Sequence, residues 1–306
     1  MSGSTPTSPV AEAAAPVLSL VVSTVGRPEE FARLVESVVR TAPAGQVELV
    51  VCDQSADRSC ARLLEDLDPP LPWQVTTSER GASVGRNAGL DLVRGSLLGF
   101  PDDNCWFPEG ALARVLDTFD ARPGLAGMSG QQQTIDGRPS MLRWPDRGTP
   151  VTRTNFMKTS IMSTMFFRRS QLDRVGRFDE GMGVGSAGWY GAGEESDLLL
   201  RVLADGGDVQ YDPDLVVLQD EPRDEVDDRF VLKMLRYGCG NGHLWRLHRL
   251  PRWLLVWFSA RKAVGAVVRT ARGQRDLARA DVAYLRGTWA GWVDRRPRDW
   301  PAGTGS

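Results

Sequence analysis

Three apolar, strand-like runs in the first third of the chain each stop abruptly at oxygen-bearing side chains. Val17–Val22 leads to Ser23 and Thr24, Val47–Cys52 to Asp53, and Ser96–Phe100 to Asp102, Asp103 and Asn104. Helical patterns lie between them. Pro28 opens one, with Phe31, Leu34, Val35 and Val38 on a single face, and proline suits the first helical position. Ser59 to Leu67 and Ala82 to Val93 read as further helices, and Trp73 to Thr77 as a short strand. Strands alternating with helices predict a mostly parallel sheet flanked by helices. In such sheets ligands collect beyond the carboxyl ends of the strands, where Thr24, Asp53 and Asp102 would all emerge.

Two constellations carry chemistry. Asp102, Asp103 and Asn104 offer hard oxygen ligands of the kind that Mg²⁺ and Mn²⁺ prefer, although Asp and Asn are also common in plain turns. Further along, Gly188–Gly193 forms a glycine-rich loop that runs into Glu194, Glu195, Ser196 and Asp197 and then an amphipathic helix. Acidic residues in a first helical turn are stabilised by the helix dipole. Asp197 and Arg201 are spaced for an i,i+4 pair, whereas Glu194 or Glu195, nearer the loop, could take a proton from a hydroxyl.

Composition narrows the class. A chain of 306 residues, 42% hydrophobic, can bury a large core. Residues 1–16, rich in Ser, Thr, Pro and Ala, read as a disordered leader without the apolar stretch of an export signal, which points to the cytoplasm. Cys52, Cys60, Cys105 and Cys239 show no CxxC spacing, as expected of reduced thiols. Charge is lopsided. From Arg229 to Ser306 there are fourteen Arg and two Lys against four Asp, a net of +12, while the preceding residues carry −14. Within this basic part, Trp253–Phe258 concentrates large apolar side chains between Arg252 and Arg261. The run is too short to span a bilayer, so the expectation is a helix lying on an anionic membrane surface through residues 229–298, or one packed on the rest of the protein. No nucleic-acid partner is expected, because no recognition motif accompanies the basic patch.

With these parts placed, residues 17–223 resemble the inverting family 2 glycosyltransferases of the GT-A fold, and residues 224–306 read as a basic helical C-terminal appendage. The loop Ser23–Pro28, with Thr24, Gly26 and Arg27, is similar to the family's nucleotide-pocket loop, and Asp53 resembles its base-binding aspartate. Arg80–Gly89 resembles the stretch before the metal strand, placing Arg80, Arg86 and Asn87 near the donor. Phe100–Asn104 resembles the DxD signature, and Gly193–Asp197 the acceptor helix. The resemblance implies a nucleotide-sugar donor and a glycan, polysaccharide or lipid-linked acceptor. It also implies Mn²⁺ or Mg²⁺ on the diphosphate held by Asp102, Asp103 and Asn104, with Gln219 where the family often has a histidine. Glu195, with Glu194 beside it, would serve as general base where the family usually has Asp, and Trp189, Tyr190 and Glu194 would bind the acceptor. Two other readings stay open: a noncatalytic nucleotide-sugar binder, and a nucleotidyltransferase on a similar scaffold.

Overall fold

A computed structural model describes residues 16–220, 226–297 and 300. The expected leader therefore lies outside the described residues except for its last position, and so does the expected boundary near residue 223.

The strands are β1 Leu18–Thr24, β2 Val47–Asp53, β3 Trp73–Thr76, β4 Leu97–Gly99, β5 Cys105–Trp106, β6 Leu125–Gln133, β7 Thr149–Pro150, β8 Met165–Arg168 and β9 Asp208–Gln219. The helices are α1 Pro28–Thr41, α2 Ser59–Leu67, α3 Ala82–Leu90, α4 Ala111–Ala121, α5 Phe156–Thr159, α6 Arg169–Val175, α7 Glu194–Ala204, α8 Asp228–Leu247, α9 Arg252–Ala271 and α10 Arg275–Val293. All the strands join one mixed sheet in the order β3-β2-β1-β4-β8-β6-β9-β5, with β7 pairing on β9. The β3-β2-β1-β4 half is parallel. Antiparallel β8 then separates it from the parallel pair β6 and β9. Two reversals restore direction, so β6 and β9 end at the same edge as β1, β2 and β4. That edge gathers Thr24, Asp53, Asp102, Gln132 and Gln219.

Alternation along β1 explains how both sheet faces are sealed. Leu18, Leu20 and Val22 enter one core with Phe31, Leu34, Val35 and Val38 of α1, while Val21 enters the other with Val50 and Leu98. Successive strand side chains point to opposite faces, and each fully buried Val or Leu contributes roughly 1.5–3 kcal/mol.

The C-terminal helices pack on the sheet domain through a shared core. Leu244, Trp245, Leu250, Leu254 and Leu255 share a core with Phe156, Leu198 and Tyr211. Helices α8 and α10 meet backbone to backbone. A Cβ at Gly238 or Gly242 would fall 2.1 Å or 1.9 Å from the carbonyl oxygen of Tyr284 or Thr288, and one at Gly287 or Gly291 2.1 Å or 2.0 Å from that of Leu235 or Cys239. Only glycine at these four positions permits so close a crossing.

Candidate active site

The sheet edge, the start of α7 and one residue of α8 bound a cleft of about 400 Å³. Of the residues singled out in the sequence, Arg27, Arg80, Arg86, Asp102, Asp103, Asn104, Glu194, Glu195 and Gln219 line it. Thr24, Gly26, Asp53, Asn87, Trp189 and Tyr190 do not.

Arg86 organises the centre. Held on α3 and buried, it donates from Nη2 to Asp102 at 3.3 Å and from Nη1 to Glu194 at 3.1 Å. Burial opposes its charge, but Glu194, Asp102 and Glu195 outweigh that effect and hold the guanidinium above its usual range. Its donors thus tie the end of the β4 strand to the start of α7. Asp102 and Asp103 diverge. The Asp102 side chain is 40% exposed and faces the cleft, whereas that of Asp103 is 1% exposed. Asp103 turns back to β1, accepting from Thr24 Oγ1 at 2.7 Å and from Arg27 Nε at 3.2 Å, with a second, short contact to Arg27 Nη2. Asp103 and Thr24 therefore shape the loop that presents Arg27.

Asp53, the expected base-binding aspartate, bonds its own loop. Asp53 Oδ1 accepts from Ser55 N at 2.9 Å and Ser55 Oγ at 2.6 Å, and Oδ2 from Ala61 N at 2.9 Å. Such Asx bonding to nearby backbone is a common use of aspartate after a strand. Its neighbour Gln54 lines the cleft, with Nε2 donating to Ser78 Oγ at 2.8 Å and to the Gly81 carbonyl at 2.9 Å. Asn87 holds a loop in place by donating to the Phe178 carbonyl at 3.0 Å and accepting from Phe178 N at 3.0 Å.

Helix α7 begins after Gly193, whose φ of +98° favours glycine. Glu195 Oε2 accepts from Met162 N at 2.8 Å. Desolvation and the Glu194 charge push the Glu195 carboxyl up to about 7, against the Met162 N–H and Arg86. A carboxyl poised near neutrality can exchange a proton with a hydroxyl. Below it, Asp197 takes Arg201 Nε at 2.9 Å and His248 Nε2 at 2.8 Å. Those two partners outweigh burial and hold the Asp197 carboxyl below its usual range, so the base of α7 is fixed by charge.

Trp189 and Tyr190 pack away from the cleft. Tyr190 stacks on His243 at 4.0 Å and bonds Asp294, and Trp189 lies against Tyr190. Tyr237 of α8 lines the cleft beside Met141, Ile161 and Val184. Helix α8 also grips the loop leading to α7. Arg236 Nη2 donates to the carbonyls of Ser186 and Gly188, both at 3.2 Å, and its own carbonyl accepts from Gly191 N at 3.1 Å. A Cβ at Gly240 would fall 1.9 Å from the Ala192 carbonyl oxygen.

A family model described as Glycosyl transferase family 2 matches residues 19–176, just over half of the chain. The chain belongs to glycosyl transferase family 2. It is 25% identical over 235 residues to the succinoglycan biosynthesis protein ExoM of Rhizobium meliloti (strain 1021), covering 74% of each chain. It is 23% identical over 268 residues to glycosyltransferase AglE of Haloferax volcanii, covering 79% of this chain and 81% of AglE. Its fold matches that of the mannosyltransferase PcManGT from Pyrobaculum calidifontis, solved with GDP-Man and Mn²⁺. The TM-score is 0.63 at 16% identity, over 92% of this chain and 88% of PcManGT. S. aureus TarS 1–349, solved with UDP-GlcNAc, gives a TM-score of 0.58 at 14% identity, over 92% and 93% of the two chains. The protein is thus a family 2 glycosyltransferase with the GT-A fold.

Among the described residues, no three His, Cys, Asp or Glu side chains cluster as metal ligands. The family 2 cleft instead offers one open carboxylate, Asp102, and two amides. Gln219 Nε2 donates to Asn104 Oδ1 at 3.1 Å, which leaves the buried Gln219 Oε1 without a partner. One carboxylate with an orphaned amide oxygen suits a hard cation that takes its remaining ligands from water and phosphate. Gln132, which no sequence motif marked, lines the same wall. Its Nε2 donates to Ser163 Oγ at 3.1 Å, and its buried Oε1 is likewise unpartnered.

Proposed function

We propose that this protein is an inverting glycosyltransferase that moves a sugar from a nucleoside-diphosphate sugar to a hydroxyl of a polysaccharide, glycan or lipid-linked acceptor. The observation that carries the reading is the chain Asp102–Arg86–Glu194 with Glu195 beside it, which places an open carboxylate and a proton-accepting carboxylate in one cleft. Bound between Asp102 and the amides of Asn104 and Gln219, Mn²⁺ or Mg²⁺ would neutralise charge on the departing diphosphate. Arg27 and Arg80 supply further positive charge at the cleft wall, and Gln54 presents an amide near the nucleotide. Glu195 takes the proton of the acceptor hydroxyl while that oxygen forms its bond to the anomeric carbon. The bond from that carbon to the diphosphate oxygen breaks, and the electron pair leaves with the nucleoside diphosphate. Attack opposite the leaving group inverts the anomeric configuration. Met141, Ile161, Val184 and Tyr237 form the acceptor wall, and the succinoglycan relative supports a polysaccharide product.

The test is a nucleotide-sugar panel with and without Mn²⁺ or Mg²⁺, scored by thermal shift and nucleoside-diphosphate release, with product configuration read by NMR. One donor should stabilise the protein in a cation-dependent way and give an inverted product. Retention of configuration would overturn the mechanism. Donor-dependent stabilisation without turnover across a broad acceptor panel would leave only a binder.

A further inference from the structure

Helix α9 is apolar on two sides: Leu254, Leu255 and Ala266 are buried against the protein, and a second set of apolar side chains faces out. Trp253, Val256, Trp257, Val264, Val267 and Val268 are all exposed, with Trp253 at 64%, Val264 at 63% and Val267 at 69%. At about 100° per residue these positions fall within an arc of roughly 120°, a stripe along about 22 Å of helix. The opposite face carries charge inward. Lys262 Nζ pairs with Asp281 Oδ1 of α10 at 2.8 Å, Arg269 pairs with the other Asp281 oxygen, and Asp281 itself is buried. A surface helix ordinarily buries its apolar stripe and exposes its charges, and a contiguous exposed apolar face marks an interaction surface.

We infer that this face of α9 docks on an anionic membrane surface. Exposed Arg252, Arg261 and Arg272 border the stripe, so an apolar strip is flanked by cations. That arrangement matches the interface of an anionic bilayer, where the strip enters the acyl boundary and the arginines meet lipid phosphates. A second copy of the chain is a poor occupant, because it would set one +12 C-terminal region against another. The helix lies on the bilayer, for no helix among the described residues is long and apolar enough to cross one. The contact also does not depend on the transfer chemistry.

The test is co-sedimentation of the full chain with equimolar phosphatidylglycerol–phosphatidylcholine vesicles, against pure phosphatidylcholine, at low and high salt. Wild type should pellet with the anionic vesicles in a salt-sensitive way. The double variant Val264→Asp/Val267→Asp should lose about tenfold or more in affinity. Arg252→Ala and Arg272→Ala should each lose about fivefold, equivalent to ~1 kcal/mol. Circular dichroism and donor-dependent thermal shift should be unchanged in all variants. Wild type remaining in the supernatant at low salt, or binding indifferent to the two aspartates, would overturn the inference. So would a wild-type dimer that the aspartates dissociate, since a second copy would then cover the face. Failure of the proposed transfer reaction would leave the vesicle result standing.

Discussion

Replacing Glu194 by Gln separates the roles of the two adjacent glutamates. The Glu195 carboxyl sits at about 7 against an ordinary 4.5, with burial the larger cause and Glu194 the next. Two like charges roughly 4–8 Å apart repel by about 2–4 kcal/mol at an effective dielectric of about 20. At 1.36 kcal/mol per pH unit that is worth about 2 units, and water at the cleft mouth reduces it to roughly 1. Glu194→Gln removes the charge while keeping an oxygen for Arg86 Nη1. Ionisation of Glu195 then becomes easier, also because Arg86 loses a competing counter-charge. The acid limb of kcat/KM should therefore move from about 7 down to about 6, with only a modest fall at the plateau. Glu195→Gln should abolish that limb and lower kcat by about 10²–10⁴-fold. The assay is nucleoside-diphosphate release between pH 5 and pH 9 with saturating cation. An unmoved limb in Glu194→Gln would refute the electrostatic coupling. The reverse pattern, with Glu194→Gln inactive and Glu195→Gln near wild type, would make Glu194 the base.

Three further perturbations test the fold. Between about pH 4.5 and 7 the native state keeps a proton on Glu195 that the unfolded chain has released, so the native state binds more protons and stability falls as pH rises through this window. Urea unfolding across that range should show a fall that Glu195→Gln flattens; an unchanged slope would remove Glu195 as its source. Gly240→Ala drives a methyl into the Ala192 carbonyl and should cost about 1–3 kcal/mol, or roughly 2–4 °C of Tm for each kcal/mol, together with activity. Gly265→Ala, whose nearest outside atom is Asp281 Oδ2 at 3.9 Å, should instead raise stability by about 1 kcal/mol.

The parallel half of the sheet was legible because its strands are unbroken apolar runs, and α1 because its buried positions keep the helical period. The pair β6 and β9 was harder to read. Leu125–Gln133 is a run of small and polar residues, and Gly127 and Gly130 lie there because Phe167 and the Leu215 carbonyl press against them. That disguise also hid Gln132. Asp102, Arg86, Glu194 and Glu195 were readable as chemistry, since each stands where a strand or loop meets the cleft. Asp53 and Asp103 were not distinguishable from them, because a carboxylate that bonds its own loop and one that faces a ligand look alike in sequence. Tyr237 carried no local signal at all: its helix is held at the cleft by the contacts of Arg236, Gly240 and His243 with residues 186–192.

The basic C-terminal quarter shows where charge counting alone stops. Its +12 was plain in the sequence, but not that Lys262 and Arg269 turn inward to Asp281 while valines and tryptophans face out. Consecutive helices thus differ in what they present, α8 lining the cleft with Tyr237 and α9 offering the apolar face. Helices α8 and α9 are joined by four residues of connecting chain, His248–Pro251. This arrangement rules out truncation before Arg229 as a probe of membrane binding. It would remove Tyr237, the Arg236 grip and the Gly240 contact together, so lost activity would report a broken site. Surface substitutions on α9 leave those contacts intact and isolate the docking face.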